Sequence, residues 1–194
     1  MNNPISFQPW LPAWVQACVG REEMRLHTDE ERMDFVIRLA QRNLQEGTGG
    51  PFAAAVFERD SGLLVSVGVN VVIASHCSYA HAEMIALGLA QQRYQSHTLS
   101  ANHLPVHELV TSCEPCAMCL GALQGSGIQR LVYAATDSDV RAIGFESGLK
   151  PVNWQRALER RGIDVMTDVY RLRSVAVLQA YLRQHGMSPH IHRL

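Results

Sequence analysis

Residues 108–119 read Glu-Leu-Val-Thr-Ser-Cys-Glu-Pro-Cys-Ala-Met-Cys, and they run a short strand directly into a helix start. The apolar and β-branched residues at 108–111 suit a strand. Pro115 fits the first position of a helix, where its missing N–H would have had no partner anyway. That helix is expected to reach about Gln124, with Cys116 and Cys119 in its first turn and on one face. Upstream, residues 52–58 and 63–69 are short apolar runs separated by Arg59-Asp60-Ser61-Gly62, which predicts a hairpin. After a polar loop over 70–79, a helical pattern begins near Ala80 or His81 and fails near Ser96. Thr28-Asp29-Glu30-Glu31 has the form of a capping box, and Met33, Val36, Ile37, Ala40 and Leu44 follow at helical spacing. Downstream, residues 129–135 and 163–166 read as strands, and 154–161 and 175–184 as helices. This alternation predicts an α/β fold, a mixed sheet sandwiched by helices.

With 194 residues the chain can bury one sizeable core and is short for two, so residues 28–194 are expected to form a single domain. Residues 1–27 carry Pro4, Pro9 and Pro12 among Phe7, Trp10, Leu11, Trp14 and Val15. They read as an N-terminal extension that packs aromatic residues on a surface, a partner subunit's among the options. A hydrophobic content of 47% with 18% charged residues places the chain among soluble globular proteins. A net charge of -1 supplies no cationic excess for phosphates, so nucleic acid is not an expected partner and a small or neutral substrate fits better. No apolar run approaches the roughly 20 residues needed to cross a bilayer, and Met1-Asn2-Asn3-Pro4 does not resemble a signal peptide. A cytoplasmic address away from membranes is the expectation. Three of the five cysteines crowd into 113–119, which suits metal or redox chemistry better than a disulfide framework, while Cys18 and Cys77 are expected to be plain buried thiols.

Thiols in the first turn of a helix are stabilised as thiolates by free N–H groups and the helix dipole, and thiolate is the form a metal needs. His81 and Glu83 stand at the start of the preceding helix. Two helix starts aimed at one spot would bring a neutral imidazole to the two sulfurs. Three ligands on zinc leave one tetrahedral position open for water, the mark of a catalytic site. Two thiolates cancel the formal charge of the ion and blunt its power to acidify that water, so a base must help. Glu83, two residues from a ligand, is the candidate proton shuttle. Other readings remain. Cys113, Cys116 and Cys119 resemble part of an iron–sulfur run, although Leu123 stands where the fourth cysteine belongs. Cys113 could also complete a structural zinc site.

His-x-Glu followed by Pro-Cys-x-x-Cys is the pattern of zinc deaminases. With Gly49-Gly50-Pro51-Phe52, Asn70, Ala80-His81-Ala82-Glu83 and Thr111-Ser112-Cys113-Glu114-Pro115-Cys116-Ala117-Met118-Cys119-Leu120-Gly121-Ala122, the chain resembles the cytidine deaminase superfamily and, within it, the bacterial guanine deaminases. The resemblance covers about 49–147 well, the C-terminal part faintly and the extension not at all. It implies a three-layer α/β/α sandwich around a central five-stranded mixed sheet. It also implies a bound zinc ion, a homodimer in which segment 174–194 is exchanged, and hydrolysis of guanine to xanthine and ammonia. By the same resemblance, Asn70 matches a substrate-binding asparagine, whose amide offers both donor and acceptor to a purine edge, and Phe52 walls the base.

Two departures stand out. The family usually has Gly-Phe-Asp-Asp after the fourth strand, with a carboxylate that meets the substrate amino group; here the run is Gly144-Phe145-Glu146-Ser147, and Glu146 is expected to take that role. A C-terminal tyrosine that closes the pocket has no counterpart, and His190 is the substitute nearest by count. The competing functions are another deaminase of the superfamily, acting on tRNA adenosine, cytosine or an aminated triazine, and a zinc-binding module without turnover.

Overall fold

The computed structural model describes residues 11–19 and 23–186. Thr28 caps α2 (Asp29–Gln45) by the predicted box: its hydroxyl accepts from the Glu31 N–H, and the Glu31 carboxylate accepts from the Thr28 N–H, both at 3.1 Å. β1 (Ala53–Glu58) and β2 (Leu64–Val69) form the antiparallel hairpin. β3 (His107–Cys113) pairs antiparallel with β1, and β4 (Arg130–Ala135) and β5 (Asp164–Met166) add in parallel. The resulting mixed sheet of five strands has the order β2-β1-β3-β4-β5.

Both faces of the sheet are covered, which is why its strands read as continuous apolar runs. Ala53, Ala55 and Phe57 turn toward Met33, Val36, Ile37 and Ala40 of α2 and toward Val177 of α8 (Arg171–His185). Their neighbours Ala54 and Val56 turn the other way, onto Ala82, Ala86 and Ala90 of α4 (Ala82–Tyr94). Leu120 and Leu123 of α5 (Ala117–Ser126) and Leu158 of α7 (Trp154–Glu159) complete that second layer. The sandwich therefore has three layers, as expected. Gly68 sets how closely α4 lies on the sheet: a Cβ there would stand 2.0 Å from the Ala82 carbonyl oxygen. Glycine at this position brings the first turn of α4 directly onto β2.

Several elements differ from the expectation. The 70–79 loop contains a short helix, α3 (Val72–Ser75). α5 starts at Ala117, with Cys116 as an extended N-cap, so Pro115 precedes the cap instead of opening the helix. α6 (Asp137–Ala142) was not foreseen, and α8 begins at Arg171, ahead of residue 175. In the N-terminal part, α1 (Ala13–Val19) packs on this chain's own core through the fully buried Val15. Cys18 and Cys77 are half-buried, against the expectation of buried thiols, because each sits at the edge of the α2-side core. Among the described residues, no helix is long and apolar enough to cross a membrane.

Candidate active site

His81 is the N-cap of α4 and Cys116 the N-cap of α5; both have extended backbones, and neither makes a side-chain cap hydrogen bond. A cap side chain ordinarily folds back onto its own helix. These two turn toward each other instead. Cys116 Sγ lies 3.5 Å from His81 Nδ1, Cys119 Sγ lies 3.6 Å from the same nitrogen, and the two sulfurs are 3.5 Å apart. In a tetrahedral zinc site, with Zn–S about 2.3 Å and Zn–N about 2.0 Å, such edges measure roughly 3.5–3.8 Å. The observed triangle matches one face of that tetrahedron to within a few tenths of an ångström, and its donor set of one imidazole and two thiols suits zinc.

Protonation of the cluster follows from the same contacts. Hydrogen bonds from Cys119 and His81 outweigh burial and pull the Cys116 thiol down to about 4. Cys119 moves the opposite way, pushed up by its contact with Cys116 and by burial. Burial pulls His81 down, but Cys116 and Glu83 more than offset this and leave it raised. His81 Nε2 is buried without a hydrogen-bond partner among the described residues, so the ring is oriented from its Nδ1 side.

Cys113, at the end of β3, is buried apart from this triangle, 3.9 Å from the Ser174 hydroxyl, and burial pushes its thiol up to about 12. Its sulfur does not belong to the group of ligand atoms formed by His81, Cys116 and Cys119, so Cys113 is not placed as a fourth ligand. Glu83 is buried, with Oε2 3.5 Å from Cys119 Sγ and Oε1 accepting from Thr111 Oγ1 at 3.4 Å. Burial, and then the Cys116 thiolate, hold its carboxyl above the usual carboxylate range.

A pocket partly open to solvent brings together Phe52, Asn70, His81, Glu83, Cys116 and Glu146; Cys119 is buried next to it. Glu114, Phe145 and Ser147 also line it, and among the described residues no lysine or arginine does. Phe52 meets Phe145 edge to face at 5.0 Å. Asn70 is buried, and its backbone carbonyl accepts from Asn43 Nδ2 at 2.8 Å. Gly49 is packed against that same carbonyl, where a Cβ would come within 1.8 Å. Glu146 is exposed on the rim, next to the buried Ser147, whose carbonyl accepts from Ala117 N at 2.8 Å. His190 lies outside the described residues.

Sequence reasoning did not single out Asn43 or Lys150. Asn43 is a polar residue in the apolar stripe of α2, a signal visible in the sequence. Lys150 gives no such sign. Its ammonium donates to Glu114 Oε1 at 2.5 Å and to the Pro115 carbonyl at 3.3 Å, and it lies 3.4 Å from Asp137. It ties the loop bearing Glu146 to the segment leading into Cys116.

Residues 26–135 match the family model of the cytidine and deoxycytidylate deaminase zinc-binding region. The chain is similar to the guanine deaminase of Bacillus subtilis, with 34% identity over 127 residues covering 66% of this chain and 77% of that one. The solved structure of guanine deaminase from Nitrosomonas europaea superimposes with a TM-score of 0.88 at 46% identity, over 93% of this chain and 98% of that one. A structure of NE0047 in complex with 2,6-diaminopurine matches with a TM-score of 0.88 at 49% identity, over 92% and 94% of the two chains. With the motifs, the five-stranded fold and the metal triangle in agreement, this chain belongs to the zinc-binding cytidine and deoxycytidylate deaminase family.

Proposed function

We propose that this deaminase hydrolyses guanine to xanthine and ammonia, with His81, Cys116 and Cys119 holding zinc and Glu83 moving the protons. The observation that carries the reading is the position of Glu83. It is buried, faces the same pocket, lies beside the ligand triangle and is not part of it. Guanine is the substrate named for relatives that align over nearly the whole chain. A pocket lined by glutamates, with no cation among the described residues that line it, also suits an unphosphorylated ring rich in N–H donors.

When bound, zinc supplies Lewis-acid activation of a water molecule. Glu83 accepts a proton from that water and delivers it to the ring nitrogen beside the carbon under attack. Burial raises the proton affinity of Glu83, so it can hold the proton between these transfers. The second proton goes to the departing amino group; the C–N bond breaks, ammonia leaves, and the water oxygen stays on the ring. Asn70 presents its amide to the purine edge, Phe52 walls the base, and Glu146 accepts from the exocyclic amino group.

Residues 28–194 are one domain in this reading. The protein is placed in the cytoplasm as a homodimer that takes part in purine breakdown. Five free thiols fit a reducing compartment, and exposed Met118, Leu149 and Val152 around α5 and the start of α7 offer an apolar contact to a second copy. The test is to follow ammonia released by the zinc-loaded protein from guanine, adenine, cytosine and cytidine. Release from guanine above the others is expected. Release from cytosine or adenine alone would move the function to another branch of the superfamily.

A further inference from the structure

We propose that α1, which lies outside the stretch matched by the family model, belongs to the substrate-binding apparatus: through Trp14, Thr48 and Asn43 it fixes the backbone that carries Asn70 and Phe52. The inference rests on the reading of the pocket as a guanine site. Asn43 is fully buried, and its Nδ2 donates to two carbonyls, Gly50 and Asn70, each at 2.8 Å. Because both partners are acceptors, the amide has one permitted orientation, with Oδ1 facing Thr48. Thr48 Oγ1, 2.6 Å away, must then donate its single proton to Asn43 Oδ1. Its oxygen is left to accept, and the indole Nε1 of Trp14, a donor only, reaches it at 3.2 Å. Every bond in this chain therefore points one way, from α1 toward the pocket.

The far end of the relay is where selection takes place. The Gly50 carbonyl that Asn43 holds also accepts from the Phe52 N–H at 2.8 Å, and the Phe52 carbonyl accepts from the Asn70 N–H at 3.0 Å. One carboxamide thus ties together the two segments that present Phe52 and Asn70. Gly49 leaves no slack between them. At the near end, Arg42 lies over the Trp14 ring at 5.1 Å and meets Cys18 at 2.9 Å, which staples α1 to the last turn of α2. An amide reads a base edge by direction, so a small rotation of the Asn70 backbone weakens binding before it affects proton transfer at Glu83.

The experiment uses the zinc-loaded full chain and guanine, with KM, kcat, zinc content and backbone amide exchange measured together. Thr48→Val keeps the side-chain shape and removes the hydroxyl; KM is expected to rise about fivefold, the worth of one neutral hydrogen bond, while kcat and zinc content hold. Trp14→Phe should follow with a smaller rise. Asn43→Asp replaces the shared donor Nδ2 by a carboxylate oxygen facing both carbonyls and should raise KM by about thirtyfold or more. Thr48→Ser retains the hydroxyl and should restore the parent KM. Amides of Gly50, Phe52 and residues 70–72 should exchange faster in Thr48→Val, with or without substrate. Unchanged KM and unchanged exchange in Thr48→Val would overturn the relay, as would a loss of activity that merely tracks zinc loss. Failure of the parent protein to act on guanine would instead remove the functional reading, and the exchange rates would still report on the relay.

Discussion

The metal side of the pocket stands on two helix starts, whereas the substrate side stands on loops. His81 and Cys116 are N-caps whose backbones are set by α4 and α5, and both helices lie against the sheet. Asn70 and Glu146 instead follow the ends of β2 and α6, and each loop is held by a side-chain tie to another part of the chain. Asn43 does this for the first and Lys150 for the second. Fixed elements thus carry the chemistry that the family shares. The loops carry the residues proposed to choose the substrate.

The largest expected effect falls on the metal side. Glu83→Gln should lower kcat by roughly a thousandfold, ~4 kcal/mol in the barrier, with one zinc per chain retained in a metal assay. Loss of zinc from this variant would make Glu83 a ligand and erase the division between base and triangle. On the loop side, Lys150→Met removes the cation from the half-buried Glu114 carboxylate, which keeps the Asp137 N–H at 3.0 Å, and should cost about 2 kcal/mol in urea unfolding. A stability equal to the parent's would mean that the clasp does not hold the rim. Glu146→Gln should reduce kcat about thirtyfold at unchanged stability, and parent-like kinetics would remove this carboxylate from the mechanism.

The smallest effect concerns pH. Hydrogen bonds from Arg171 hold the Asp139 carboxyl down at about 2, from an ordinary 3.8. A depressed carboxylate stabilises the fold above its unfolded value, and that contribution fades as pH falls from about 4 to about 2. Because Arg171 is well exposed to solvent, Asp139→Asn should cost less than about 1 kcal/mol at neutral pH. Its stability curve should converge with the parent's below about pH 2. Curves that stay parallel throughout would show that this tie between α6 and α8 contributes nothing through charge.

The same contrast explains what the sequence made legible. Capping, alternation and ligand spacing are local patterns, so α2, the hairpin, His81, Glu83 and the cysteine pair could be read from neighbours in the chain. α6 escaped because only Val140 in its six residues is buried, which leaves no apolar period to follow. The start of α8 escaped because its first turn is exposed, Leu172 at 83%, and Tyr170 at its N-cap takes a left-handed backbone with no capping side chain. Cys116 stands at the cap and not in the first turn, a shift of one position that the sequence leaves open because Pro115 suits the residue before an extended cap as well as the first turn. Lys150 could not be found at all: its partners Glu114 and Asp137 are distant in sequence and meet only once β3 and β4 are paired.

The most direct measurement of the central claim is to incubate the zinc-loaded protein with guanine in heavy-oxygen water and to follow ammonia and the mass of the product. The account predicts xanthine and ammonia in equal amounts, with one solvent-derived oxygen in each xanthine. No ammonia from guanine, or xanthine without the solvent label, would contradict it.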